Sequence, residues 1–211
     1  MAKPTLYGAD YSVYVRIARM TLEEKGVGYE LVPLDIFAAE GIPAWYLELH
    51  PFGRIPALEH DGFRLFETGA ITRYVDEAFD GPALQPADAR ARARMSQIAG
   101  MLDAYGYRAM VWDVAVERLE KMPPDEALIA GGLRRAETAF KVLTLLKAKG
   151  PWLLGDQLTL ADLHAAPIVA YFLKVAEGRD LLARFVQIRD WYARIADRAS
   201  FARTEKVAWA E

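Results

Sequence analysis

Three short stretches hold residues whose types and spacing suit the binding of a small, partly anionic ligand. In Tyr7-Gly8-Ala9-Asp10-Tyr11-Ser12, the apolar stretch Thr5-Leu6-Tyr7 stops at Gly8, and helical spacing begins near Ser12. A hydroxyl at that position can cap its own helix. It can also donate to an anion drawn to the positive end of the helix. One residue can serve both purposes. If the anion is a thiolate, the demand is quantitative. A free thiol has a pKa of about 8.5, and lowering it by two units takes about 2.7 kcal/mol of preference for the anion. A well-aimed hydroxyl and a helix dipole can supply most of that.

The second stretch is Pro51-Phe52-Gly53-Arg54-Ile55-Pro56-Ala57-Leu58. Proline at the start of a strand cannot donate to the ladder. A trans Ile55-Pro56 bond would make this an ordinary loop. A cis bond costs only about 0.5–1 kcal/mol before proline, and it would turn the N–H and C=O of Ile55 outward toward a ligand's backbone. The third stretch is Glu67-Thr68, where a helix follows the strand ending at Phe66. Free N–H groups and the Thr68 hydroxyl there can hold a carboxylate, and Glu67 can pair with an ammonium. Plain capping by Glu67 or Thr68 explains the same residues.

Composition narrows the chemistry further. The chain has no cysteine, which excludes disulfides, thiolate-ligated metals and a nucleophilic thiol supplied by the protein. The histidines His50, His60 and His164 lack metal-ligand spacing, so no metal is expected. A net charge of -3 without a basic block argues against nucleic-acid binding. No apolar run reaches the roughly 18 residues that span a bilayer, and the first residues lack a signal-peptide core. The expected location is cytoplasmic, with no membrane or nucleic-acid partner.

The elements that must position these residues follow from periodicity. Residues 1–80 read as βαβ, a loop with room for a short helix, then ββα. Helical spacing runs from about Ser12 to Lys25 and ends at Gly26, and Tyr29 to Pro33 reads as a strand. Asp61-Gly62 between Ala57–His60 and Phe63–Phe66 predicts a tight hairpin, and a helix follows from Glu67 to Phe79. One parallel crossover and a hairpin give a small mixed sheet with helices on its faces. Residues 81–86 form a turn-rich linker, and residues 87–211 read as a helical domain. Its helices are expected from Ala87 to Lys121, from a cap at Asp125 to about Lys149, from Thr159 to Tyr171 and from Leu181 to Ile195.

Together these segments resemble the glutathione transferase family over nearly the whole chain, and its serine-type phi class in particular. Leu6-Tyr7-Gly8-Ala9-Asp10-Tyr11-Ser12 followed by Arg16 is similar to the catalytic loop of that class, with Ser12 at the activating serine. Residues 51–58 resemble Pro-Phe-Gly-Gln-Val-Pro-Ala-Leu with its cis proline. Phe66-Glu67-Thr68-Gly69-Ala70-Ile71-Thr72-Arg73-Tyr74 resembles the segment that binds the γ-glutamyl end. Gly155-Asp156-Gln157-Leu158-Thr159-Leu160-Ala161-Asp162 is similar to the capping box of the helical domain.

The resemblance implies a thioredoxin-like α/β domain with a four-stranded mixed sheet, followed by an all-helical bundle. It implies glutathione as co-substrate, no further cofactor, and conjugation of the thiolate to a hydrophobic small-molecule electrophile. Ile55 and Pro56 would pair with the cysteinyl unit, and Glu67 and Thr68 would hold the γ-glutamyl end. Ser12, Tyr11 or Tyr7 would contact the sulfur. Gly41-Ile42 replaces a His-Lys pair that grips the glycyl carboxylate, and Arg54, in place of glutamine, can compensate. His50 stands where asparagine is common. Tyr11, Tyr105, Tyr107, Met110 and Trp112 are candidate liners for the electrophile, although aromatic residues at helical intervals more often belong to a core. A homodimer is implied, with Arg73 and the helix after Ala87 as interface elements. A non-catalytic scaffold of the same fold and a glutathione-dependent peroxidase are the alternative readings. Mismatch with a Ser-Ser-Cys loop sets maleylacetoacetate isomerisation aside.

Overall fold

A computed structural model describes residues 2–205. The chain divides into two compact units. Among the described residues, one comprises residues 2–83 and takes back residues 199–205; the other is Leu84–Arg198.

The first unit is built on four strands, β1 (Thr5–Tyr7), β2 (Glu30–Val32), β3 (Ala57–His60) and β4 (Phe63–Phe66), in the order β2-β1-β3-β4. β1 and β2 are parallel, joined through α1 (Val13–Lys25), and the other two pairings are antiparallel. The β3–β4 hairpin closes on Asp61 and Gly62, both at positive φ, as a two-residue type I′ connection requires. Strand alternation sends Leu6 and Leu58 into the core with Val15, Ala18 and Leu22 of α1 and Ile71 and Val75 of α3 (Thr68–Ala78). On the other face Tyr7 meets Trp45 and Tyr46 of α2 (Ala44–Leu49). α1 stops because Gly26 adopts φ 70° and returns its N–H to Glu23 and Leu22. Lys25, at its last turn, is buried and donates to the Asp76 carboxylate at 3.1 Å and to the carbonyls of Asp76 and Pro82, tying α1 to α3 and to the chain leaving the unit.

The second unit is helical, and the expected order of elements holds with three changes. The stretch predicted as one helix from Ala87 begins as α4 (Ala89–Met101) and ends as α5 (Glu117–Glu120), but Leu102–Gly106 and Arg108–Val116 between them wind as π-helix. Hydrogen bonds there reach back five residues, as from Tyr107 N–H to Leu102, so α-helical spacing misplaces side chains through this region. α6 (Glu126–Leu146) starts where Asp125 accepts from the N–H groups of Ala127 and Leu128. α7 (Leu160–Phe172) follows, and the helix expected from Leu181 is split into α8 (Ala176–Ala183) and α9 (Val186–Ala196). α10 (Ala199–Arg203) packs on α1 within the first unit, although residues 87–211 were expected to form the second domain; residues 206–211 lie outside the described ones. The Arg16 guanidinium lies 4.1 Å from the Phe201 ring and donates to its carbonyl, and Arg19 donates to the Arg203 carbonyl. Among the described residues no helix is long and apolar enough to cross a membrane.

Asp162 organises the second unit. One carboxylate oxygen accepts from the N–H and hydroxyl of Thr159 at 2.8 and 2.9 Å, the other from Leu153 N–H and Trp191 Nε1–H, both at 2.8 Å. The box at the start of α7 thus also pins the preceding loop and α9. Asp162→Ala leaves these buried donors unmatched, at roughly 1–3 kcal/mol for each group that cannot find another acceptor. The expected loss is about 4 kcal/mol in urea unfolding, with Asp162→Asn recovering part of it.

Candidate functional site

The pairing register decides which loops meet. Tyr7 pairs with Ala57 across β1 and β3, and Ala57 pairs with Phe66 across β3 and β4. Gly8 to Ser12 leave the sheet just after Tyr7, Ile55-Pro56 enter it just before Ala57, and Glu67-Thr68 leave it just after Phe66. All three stretches therefore lie at one end of the sheet. Gly8 shows how closely they pack: a Cβ there would collide with Val15 Cγ2 in the first turn of α1 and lie 3.4 Å from Ile55 Cβ.

Ser12 is half-buried at the N-cap of α1. Its Oγ accepts from Val15 N–H at a long 3.4 Å, and no hydrogen bond among the described residues uses its own proton. The capping role is real but weak, and the hydroxyl remains a free donor at the positive end of a helix.

Two other hydroxyls lie close in sequence. The Tyr11 phenol donates to Asp35 Oδ1 at 2.6 Å, and that oxygen also accepts from Phe37 N–H at 2.8 Å. Burial and the Asp35 hydrogen bond push the Tyr11 pKa well above its ordinary value. Its proton is committed, and its ring stacks on Phe37 with centroids 6.2 Å apart. Tyr7 points to the sheet face covered by α2, where its ring packs at 5.8 Å from Trp45 and burial raises its pKa. Strand alternation sends it away from the face that packs on α1.

The Ile55-Pro56 bond is cis. The Ile55 side chain is buried, yet its backbone N–H and C=O take no partner among the described residues. Glu67 holds φ 70° without being glycine, a conformation that costs of the order of 1–3 kcal/mol. Its side chain makes no capping bond, so plain capping does not explain it. The N–H groups of Thr68 and Gly69 and the Thr68 hydroxyl are likewise unpartnered among the described residues. The first turn of α3 is thus an open anion site with a carboxylate beside it.

Arg54 is exposed, and its guanidinium makes no ion pair or hydrogen bond among the described residues; its carbonyl accepts from the Tyr46 hydroxyl at 2.6 Å. Gly53 needs its φ of 59° for this turn, and a Cβ there would stand 2.6 Å from Ile42 Cδ1. Ile42, where the resembled family has a lysine, therefore packs under the turn and offers no charge.

The second unit holds the remaining candidates. Tyr105 is 69% exposed, Tyr107 and Trp112 are half-buried, and Met110 is fully buried in the core. Sequence reasoning missed Asp35, which lies 24 residues from Tyr11 and carries no motif. No group of His, Asp and Glu side chains among the described residues could hold a metal ion.

Residues 6–83 match the family described as glutathione S-transferase, N-terminal domain, and residues 126–194 match glutathione S-transferase, C-terminal domain. The chain is 29% identical to glutathione S-transferase F13 of Arabidopsis thaliana, across 93% of this chain and 92% of that protein. The structure of a glutathione S-transferase III in its apo form superposes with a TM-score of 0.82 at 30% identity, covering 96% of this chain and 95% of the other. Poplar glutathione transferase F1 gives a TM-score of 0.85 at 25% identity, with 97% of both chains covered.

Proposed function

We propose that this chain, which belongs to the glutathione S-transferase family, binds glutathione at the open end of its sheet and conjugates its thiolate to hydrophobic electrophiles. The observation that carries the reading is a convergence of uncommitted groups. The Ser12 hydroxyl, the Ile55 backbone and the first turn of α3 are brought together by the Tyr7–Ala57–Phe66 row, and each lacks a partner it would ordinarily have.

Each group suits one part of the tripeptide. The unpaired N–H and C=O of Ile55 match the backbone of the cysteinyl unit, as one rung of a strand pairing would. The Thr68 and Gly69 N–H groups and the Thr68 hydroxyl suit the γ-glutamyl carboxylate, and Glu67 suits its ammonium. Arg54 is the free cation of the turn and takes the glycyl carboxylate, replacing the missing His-Lys pair. The cysteinyl sulfur then faces Ser12. The hydroxyl donates to the thiolate and the dipole of α1 favours its charge, so that the nucleophile is already ionised when the electrophile arrives. The stacked rings of Tyr11 and Phe37 form an aromatic wall beside Ser12 that favours an apolar acceptor. The chain works without a further cofactor, and it acts as a homodimer, the usual state in this family.

Two experiments test the assignment. Ser12→Ala lowers kcat/KM toward a chloronitrobenzene about 100-fold, the order of effect seen when one donor to a developing anion is removed, and raises the pKa of the bound thiol. Tyr11→Phe leaves that pKa in place. A Ser12→Ala enzyme with wild-type turnover sinks the role of Ser12, and no glutathione binding at millimolar concentration leaves a non-catalytic scaffold. Arg54→Ala raises KM for glutathione about tenfold, equivalent to 1.4 kcal/mol, with a much smaller change for γ-glutamylcysteine, which lacks the glycyl carboxylate. Equal effects on both substrates would remove Arg54 from that role.

A further inference from the structure

One histidine sits behind this site without a place in the chemistry described. His50 is 3% exposed and closes α2, donating its N–H to Tyr46. Its carbonyl accepts from Gly53 N–H at 2.9 Å, closing the turn that leads to Arg54 and Ile55. Its ring packs at a tilt of 34° against Phe66 with centroids 4.7 Å apart and meets Phe52 and Tyr46 at 6.3 and 6.2 Å. Phe66 directly precedes Glu67. The imidazole therefore bridges the turn that presents Ile55 and the strand that delivers Glu67.

The ring's chemistry is constrained as well. Nδ1 is buried and has no partner, so a proton there would be a buried donor without an acceptor. The groups facing the ring are Tyr46 from α2, Phe52 and Arg54 from the turn, Phe66 from β4 and Glu67 at the start of α3. Glu67 and the residue's own backbone favour the charged ring, and burial and Arg54 oppose it.

We infer that His50 is a positioning residue for glutathione: its neutral imidazole holds the Ile55 turn against the strand ending in Glu67, and a proton added to it weakens glutathione binding. This rests on the reading that Glu67 receives the γ-glutamyl ammonium. A protonated His50 and that ammonium would compete for one carboxylate. Burial pushes the His50 pKa below its ordinary value; Glu67 and the residue's own backbone oppose that lowering, and Arg54 adds to it. The ring is neutral near pH 7, so the competition begins only as pH falls below the usual histidine range of about 6.5. Affinity is then complete above that range and lost beneath it. By linkage, a bound ligand that occupies Glu67 lowers the His50 pKa further.

The test uses S-methylglutathione, whose sulfur carries no proton and whose carboxylates and amine largely keep their charges between about pH 5 and about pH 7. Its Kd for the wild-type protein, measured by calorimetry, rises at least about threefold across that range as pH falls. The rise is less than half as large for His50→Asn, whose side chain does not titrate. In the unaltered protein, NMR titration of the His50 ring shows its pKa falling when the ligand is added. Superimposed binding profiles, or a His50 pKa that the ligand does not move, overturn the inference. If His50→Asn does not fold, His50→Gln and the NMR titration decide it by the same criteria. A wild-type protein that binds no S-methylglutathione at any pH refutes the glutathione reading instead, which is a different outcome from superimposed profiles.

Discussion

Tyr7, Ala57 and Phe66 stand side by side across three strands, and the position of every group at the site follows from that row. Side chains in a strand alternate with a period of two, so a slip of one residue in either pairing would turn the whole hydrophobic set out of the core. Leu6 and Leu58, both completely buried, hold the register against such a slip. Because the row is fixed, the loop after β1, the turn before β3 and the helix after β4 must emerge together. The row thus places a helix N-terminus, a free stretch of backbone and a second helix N-terminus at one end of the sheet without any contribution from the loops themselves.

The two units treat polar groups in opposite ways. In the second unit the buried Asp162 carboxylate accepts four hydrogen bonds, two at each oxygen. Such a group stabilises because nothing around it is left unmatched. At the open end of the sheet, Ser12, Ile55, Thr68 and Gly69 keep groups without partners, and Glu67 holds a costly backbone conformation. Those features reduce the stability of the isolated chain. They are the features a ligand of matching polarity can relieve, and strain that collects at one place in a fold is commonly a mark of function.

The tyrosines show how tertiary contact separates residues that look equivalent along the chain. Tyr7, Tyr11 and Ser12 all place a hydroxyl within six residues of one another. Asp35, in a loop 24 residues along the chain, accepts the Tyr11 hydroxyl's hydrogen bond, and α2 covers Tyr7 on the opposite face of β1. Ser12 keeps a free proton because its cap uses only a lone pair of the hydroxyl, which accepts from Val15 N–H. The same reasoning applies to Ile42 and Arg54. The apolar side chain fills the space beneath the Gly53 turn, and the guanidinium above it is left for a ligand.

Much of this was legible in the sequence. Local turn chemistry at Gly26, Asp61-Gly62 and Asp125, together with apolar periodicity, sets the order of the elements, because these signals act within a few residues. The motifs around Ser12, Ile55-Pro56 and Glu67-Thr68 likewise name a chemistry, since each requires particular residue types at fixed short spacings. The tertiary structure decided what depends on distant partners. It wound the segment through Tyr105 and Tyr107 as π-helix, buried Met110 and returned α10 to α1. It also directed the Tyr11 hydroxyl to Asp35 as a donor and packed His50 against Phe66. A hydroxyl's freedom to donate, or an imidazole's ability to charge, depends on what the rest of the fold brings within a few ångströms, and short-range sequence patterns do not encode that.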